Sequence, residues 1–213
     1  MTLRLPDSGA GVTPDGRRHA PSAERNAGAI LDVLRHVLPP RGRMLEIAAG
    51  TGQHAAAFAT ALPGWDWQAT DADPANLPGI AAWAAHAGAP NLAPPVVLDA
   101  ARPGWAADWA GRDAVLIVNL VHLIPAPAAT TVLAEAAAAL APGGCLCLYG
   151  PFLRDGQATS PGDATFDASL RAQDPAIGYK DAAWVRARLT DAGLRVTCRE
   201  MPANNLIWVA FKP

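Results

Sequence analysis

The chain has 213 residues, enough for one sizeable domain and too few for two comfortable ones. Hydrophobic residues make up 51% and charged ones 17%, so a substantial core is within reach and disorder by composition is excluded. Lys and Arg number 17 against 19 Asp and Glu, a net charge of −2 that gives no basic footprint for a nucleic acid.

Three cysteines, an odd number, argue against a disulfide framework and for a reducing, cytoplasmic setting. Residues 1–20, rich in Gly, Pro and charge, read as a flexible leader to a single domain over 21–213. They lack the apolar core of a secretory signal. The apolar run 126–140 is too short to span a bilayer and carries Glu135, so no membrane segment is expected.

Ala27, Ile30, Leu31, Leu34, Val37 and Leu38 recur at helical spacing, and Pro39-Pro40 ends that helix. Residues 43–48 form a short apolar strand, 49–52 a glycine-containing turn and 53–62 an alanine-rich helix. The alternation returns as strand 65–70, helix 74–87, strand 96–98, short helix 105–110, strand 114–119, helix 126–140 and strand 145–149. Apolar strands alternating with helices imply a parallel sheet covered on both faces. After Gly150-Pro151 the rhythm stops. The polar stretch 152–177 is too long for an ordinary connection, and 151–177 reads as an insertion or lid. Helix 181–192 follows, then strands 194–200 and 206–211, close enough to pair as an antiparallel hairpin.

In open α/β sheets ligands bind beyond the carboxyl ends of the strands. Those ends carry Glu46-Ile-Ala48-Ala-Gly50-Thr-Gly52, then Asp71, then Asp99, then Asn119 with His122, and lastly Tyr149. Glycines let the backbone approach a ligand, and a carboxylate after the second strand can accept from ribose hydroxyls. The glycines also match G-x-G-x-x-A with Asp71 at the distance of a dinucleotide fold, which keeps an oxidoreductase open. Against that stand Glu46, which has no role in holding a pyrophosphate, and the terminal hairpin. His19, His36 and His86 lack partners at metal-ligand spacing, so no metal site is expected.

The ordered set Glu46, Gly50, Gly52, Asp71 and Asp99 resembles the nucleotide-binding signature of class I S-adenosylmethionine-dependent methyltransferases. A narrower resemblance covers nearly the whole chain. Ser22-Ala-Glu-Arg-Asn26, Leu45-Glu-Ile-Ala-Ala-Gly-Thr-Gly-Gln-His54, Trp67-Gln-Ala-Thr-Asp71, Tyr149-Gly-Pro151, Phe166-Asp167, Gly178-Tyr-Lys-Asp181 and Met201-Pro-Ala-Asn-Asn205 look like the DUF938 family, the group of human methyltransferase-like 26.

The resemblance implies an α/β, Rossmann-like three-layer sandwich with a mostly parallel seven-stranded sheet and a C-terminal antiparallel hairpin. It implies S-adenosyl-L-methionine as cofactor and transfer to an oxygen or nitrogen acceptor on a small molecule. Carried over residue by residue, Glu46, Ala48, Gly50 and Gly52 shape the methionine side of the pocket, Asp71 holds the ribose and Asp99 the adenine. Arg25 and Asn26 open a helix that lies over the pocket, and Asn119, at the end of the fourth strand, is counted among the cofactor-binding residues. His54 stands where many such enzymes have a small residue; it covers the cofactor, faces the substrate or packs on its helix. His122 is a general base or a positioning group, Tyr149 presents a hydroxyl, and Asn204 and Asn205 border the substrate. A non-catalytic binding module on the same fold stays open beside the enzyme.

Overall fold

The computed structural model describes residues 11–213; the first half of the segment read as a leader, residues 1–10, lies outside the described residues. The elements follow as α1 (Pro21–Val37), β1 (Gly42–Ile47), α2 (Gln53–Ala61), β2 (Trp65–Asp71), α3 (Leu77–Ala87), β3 (Leu92–Val97) and β4 (Arg112–Val118). Then come α4 (Ala126–Ala139), β5 (Leu140–Gly150), α5 (Pro161–Gln173), α6 (Ala182–Asp191), β6 (Arg195–Glu200) and β7 (Leu206–Phe211). The seven strands form one sheet in the order β3-β2-β1-β4-β5-β7-β6. Strands β1, β2 and β3 pair in parallel, and β5, β7 and β6 pair antiparallel. The expected α/β architecture with its C-terminal antiparallel hairpin is the one the chain adopts. Strand order reverses between β1 and β4, and in folds of this kind that reversal marks where ligands bind.

The chain divides into two compact units. Unit 1 runs through Asp99 and includes Arg112–Leu116. Its core is Met44, Leu45 and Ile47 from β1 and Trp65, Trp67 and Ala69 from β2, covered by Ile30, Leu34, Phe58 and Ile80 from the helices. Ala55, Ala56 and Ala59 on the buried face of α2 let that helix lie close to its neighbours. Strand β3 starts earlier than periodicity suggested because Pro94-Pro95 masks it. An edge strand tolerates prolines, which cannot donate to a ladder.

Residues 17–20, read as part of a flexible leader, are packed instead. The Trp83 indole donates to the Arg18 carbonyl at 2.8 Å, and the Arg17 guanidinium lies 4.8 Å from the Trp83 ring centre. The Arg18 side chain donates to Asn76 Oδ1 at 2.6 Å, and Ala20 N donates to the Gln53 side chain. Composition hid this because Trp83, Asn76 and Gln53 are distant in sequence.

Unit 2 holds Ala100–Gly111 and Ile117–Pro213. Leu146, Cys147 and Leu148 of β5 and Ile207 and Val209 of β7 form its core, with Leu133 and Ala136 from α4 and Val185 and Leu189 from α6. The stretch 152–177, expected to be irregular, contains α5. Ser160 caps that helix by accepting from Asp163 N at 3.2 Å, Pro161 stands at its start, and Asp163 and Arg171 complement its dipole. Only Leu170 of α5 is buried, so the helix has almost no apolar stripe to betray it. Among the described residues no helix is long and apolar enough to cross a membrane.

Candidate functional site

Unit 1 carries the loop after β1. The chain leaves the strand through Ala48, Gly50 and Gly52, all left-handed, with φ of 56°, 59° and 86°. Ala49 N donates to the Thr70 carbonyl at 2.8 Å, which ties the loop to β2. The two glycines do different work. A Cβ on Gly52 would lie 2.6 Å from Ile80 Cα, so this glycine is required by the approach of α2 to α3. A Cβ on Gly50 would meet nothing closer than the Ala48 carbonyl oxygen at 4.0 Å, which leaves that side open for a ligand. Gly52→Ala is therefore expected to destabilise by about 2–4 kcal/mol through strain and overpacking, and Gly50→Ala by about 1 kcal/mol through φ alone. Denaturant unfolding of the two variants separates them.

Asp71 ends β2 and is 6% exposed. Its Oδ2 accepts Gly50 N at 2.8 Å, and its Oδ1 accepts Asp73 N at 2.9 Å and Asn76 Nδ2 at 3.0 Å. A carboxylate offers about four acceptor positions, so the one left on Oδ2 can take a ligand hydroxyl. The role of Asn76 had no signal in helical or strand periodicity. Asp99 follows β3 by two residues and is exposed.

Glu46 faces inward. Its Oε2 accepts the Trp67 indole N–H at 2.7 Å, and its carbonyl accepts Thr70 Oγ1 at 2.8 Å, so it braces β1 against β2 beneath the loop. Burial pushes its carboxyl up to about 7, Asp71 adds to the shift, and the Trp67 bond opposes it. His54 is also buried. Its Nε2 lies 2.6 Å from Asn26 Oδ1, so the proton is assigned to Nε2, and its ring stacks on Phe58 at 5.2 Å. Burial holds it down to about 4, neutral at pH 7. His54 latches α2 to Asn26 of α1. Arg25, beside Asn26, is exposed.

Unit 2 carries the turn after β4 and the segment behind it. Asn119, left-handed at φ 56°, donates its N–H to the Tyr149 carbonyl at 2.9 Å. His122 sits in a single turn of 3-10 helix (Val121–Leu123), 6% exposed, with the rings of Phe166 and Tyr179 edge-on at 5.9 and 5.8 Å. Burial depresses the imidazole to about 3; Lys180 adds to the shift and Asp167 opposes it. Its Nδ1 lies 3.9 Å from where a Cβ on Gly150 would stand. Tyr149 is buried on β5, opposite Ile207. Asn205 makes turn bonds to the carbonyls of Pro202 and Ala203, while Asn204 reaches out of the turn to Asp163 Oδ2 of α5 at 3.0 Å.

The Gly178-Tyr-Lys-Asp181 string acquires a structural reason here, and Lys180 is the residue that sequence reading left without a role. Lys180 is 8% exposed and its Nζ donates to the carbonyls of Ile124 at 2.6 Å and Gly178 at 2.9 Å. Burial pushes the amine down to about 8, with Arg171 adding and Asp167 opposing. Gly178 has φ 119°, and a Cβ there would lie 2.6 Å from Asp167 Oδ1. Asp167 in turn accepts Tyr179 N at 2.6 Å and Arg171 Nε at 2.9 Å. Lys180→Met is expected to cost about 2 kcal/mol by stranding two carbonyls. It should also raise the His122 pKa by removing a like charge, a shift that NMR titration of the imidazole reads directly.

The chain belongs to the DUF938 family, described as a protein of unknown function, whose pattern matches residues 17–212. Among solved structures it is similar to an O-methyltransferase family protein from Burkholderia thailandensis, with 18% identity and a TM-score of 0.77 over 90% of this chain and 57% of that one. An O-methyltransferase family 2 protein from Planctomyces limnophilus, solved with apigenin, matches at 20% identity and TM-score 0.74 over 90% and 60%. Human N-acetylserotonin methyltransferase, solved with SAM, matches at 15% and 0.73 over 90% and 52%. The chain thus spans less than two thirds of the length of these structures, and at such identities the likeness is one of fold.

Proposed function

We propose that this protein is an S-adenosylmethionine-dependent methyltransferase acting on an oxygen or nitrogen acceptor of a small molecule. The observation that carries the reading is the Asp71 carboxylate, locked at the end of β2 by Gly50 N and Asn76 Nδ2 with one acceptor position open. The cofactor fits the donor set: the open side of Gly50 admits a nucleoside against the backbone, and Asp71 offers the acceptor that a ribose hydroxyl needs. Glu46 and the His54–Asn26 latch brace that loop from within the fold, and Arg25 offers a charge to the amino-acid end. Asp99 would take the adenine amino group. When bound, the cofactor supplies an electrophilic methyl carbon on sulfur, for which alignment contributes much of the acceleration.

On the acceptor side the chemistry of His122 favours orientation over proton removal. Moving a proton from a phenol-like hydroxyl to an imidazole held near 3 is uphill by about 10 kcal/mol. His122, neutral and backed by two aromatic edges, instead accepts a hydrogen bond and aims the acceptor lone pair. Asn119, Tyr149, Asn204 and Asn205 stand as bordering groups on the same reading. His122→Gln, which keeps a hydrogen-bond acceptor, is then expected to retain activity within about tenfold, whereas His122→Ala loses about 100-fold.

The test is transfer of label from methyl-labelled S-adenosylmethionine into the small-molecule fraction of a cell extract, with Asp71→Ala as control. Labelled product that disappears in the variant supports the enzyme. Tight cofactor binding without product across metabolite, protein and nucleic-acid fractions would replace it by a binding module.

A further inference from the structure

Within unit 1, the chain ahead of α1 is folded onto α3 and reaches Asp71. Val12 bridges Arg18 in antiparallel fashion. Between them Thr13 N donates to the Arg17 carbonyl at 2.9 Å and Gly16 N to the Thr13 carbonyl at 2.8 Å. Gly16, left-handed at φ 84°, allows the turn. Trp83 of α3 clamps this segment, with Arg17 over its ring and its indole N–H donated to the Arg18 carbonyl. The aliphatic stem of Arg18 then lies beside Gly79. A Cβ there would stand 3.7 Å from Arg18 Cδ and 3.8 Å from the carbonyl oxygen of Thr51, in the loop after β1.

Two hydrogen-bonded relays join the segment to that loop. In the first, Arg18 Nη1 donates to Asn76 Oδ1 at 2.6 Å and Asn76 Nδ2 donates to Asp71 Oδ1 at 3.0 Å. The other oxygen of Asp71 accepts Gly50 N at 2.8 Å. In the second, Gln53 Oε1 accepts both Ala20 N and Thr51 Oγ1, the latter at 3.2 Å. The first relay has a fixed sense. A guanidinium carries donors only, so Asn76 must turn its oxygen to Arg18 and its amide hydrogens to the carboxylate. The backbone of Asn76 is fixed as well, at the end of a single 3-10 turn (Pro74–Asn76) that Asp73 caps by accepting Ala75 N at 2.9 Å. Arg18 thus sets the amide, and the amide sets the Asp71 carboxylate.

We propose that Arg18 is a positioning residue for the adenosyl cofactor, acting through Asn76 on Asp71; the inference rests on the methyltransferase reading. A carboxylate held in one rotamer before binding has little freedom left to lose when a ribose hydroxyl arrives, and the saving appears as affinity. Without the guanidinium the Asn76 amide is free to rotate, and Asp71 loses the partner that orders its Oδ1.

The test is calorimetric titration of the full chain with S-adenosylhomocysteine and with its 2′,3′-dideoxy analogue, which offers Asp71 no hydroxyl. Arg18→Met keeps the stem beside Gly79. It is expected to weaken S-adenosylhomocysteine by about tenfold and the analogue by less than about twofold. Arg18→Lys, which retains one donor for Asn76, should recover part of that loss. In an Asn76→Ala background Arg18→Met should add nothing further, as a relay requires. If Arg18→Met does not fold, Asn76→Ala alone carries the same expectation of a loss confined to the ligand with ribose hydroxyls. Equal losses for both ligands would leave Arg18 a merely structural role and overturn the proposal, as would unchanged affinity or additive losses in the double variant. A parent protein that binds no S-adenosylhomocysteine would overturn the methyltransferase reading and this inference together. A parent that binds it, beside an Arg18→Met variant that binds equally well, would overturn this inference alone.

Discussion

Asp71→Ala is expected to weaken binding of S-adenosylhomocysteine by about 100-fold, from the loss of a charge-assisted hydrogen bond and of the loop it preorganises. The carboxylate does two jobs at once. On the proposed reading it offers Oδ2 to a ribose hydroxyl, and it holds Gly50 N, Asp73 N and Asn76 Nδ2 in place. Truncation leaves three donors to find water, so the variant should also lose about 2–3 kcal/mol of stability. Asp71→Asn separates the two contributions. An amide must turn its NH₂ toward either Gly50 N–H or the Asp73 and Asn76 donors, so one side meets a donor facing a donor. Affinity then falls nearly as far as in the alanine variant, although the shape is kept. Calorimetry on both variants, with circular dichroism as the control for folding, checks this. An Asp71→Asn variant that binds like the parent would remove the ribose assignment.

The second large effect is a contest between buried groups as the pH falls. His122 and His54 are held at about 3 and about 4 against an ordinary 6.5, so both bind protons more weakly folded than unfolded. Their stabilisation is complete above pH 6.5 and is lost as the pH drops toward those folded values. Glu46 works in the opposite sense. Its folded value of about 7 lies above the ordinary 4.5, so its protonated form stabilises the fold below pH 4.5 and that contribution is lost as the pH rises through 7. Between pH 7 and pH 5 the two histidines cost about 4 kcal/mol and Glu46 returns about half of it, for a net loss of about 2 kcal/mol.

Glu46→Gln keeps an acceptor for the Trp67 indole and cannot titrate. The same pH step should then cost the variant about 4 kcal/mol, twice the parent loss. Urea unfolding at pH 7, 6 and 5 reads the difference. Parallel curves for parent and variant would show that the carboxyl is ionised in the folded protein.

Much of the sheet was legible because its strands are apolar on both faces. Met44 to Ile47 and Ala114 to Ile117 are buried at every successive position, the mark of a strand covered by helices on both sides. That same uniformity hid the direction of Glu46. With no polar face to set the alternation, nothing in the string showed that its carboxyl reaches the Trp67 indole. Asp71 was legible from its place at a strand end after a glycine loop.

Helix α5 was not legible, because it buries only Leu170 and its identity rests on the cap formed by Ser160. Residues 17–20 were misread for a related reason. Their order comes from Trp83, Asn76 and Gln53, and no local pattern encodes a partner 65 residues away. Lys180 escaped because a lone lysine in a polar stretch has no periodicity. Its meaning lies in the carbonyls of Ile124 and Gly178 that the fold brings to it.

On the proposed reading, unit 1 holds an adenosyl cofactor through Asp71 and the Gly50 loop. Isothermal calorimetry of the purified chain with S-adenosylhomocysteine tests this. One site per chain with micromolar affinity, lost in Asp71→Ala and absent for NADH, is the predicted result. No heat of binding for either S-adenosylhomocysteine or S-adenosylmethionine from a folded sample would contradict it.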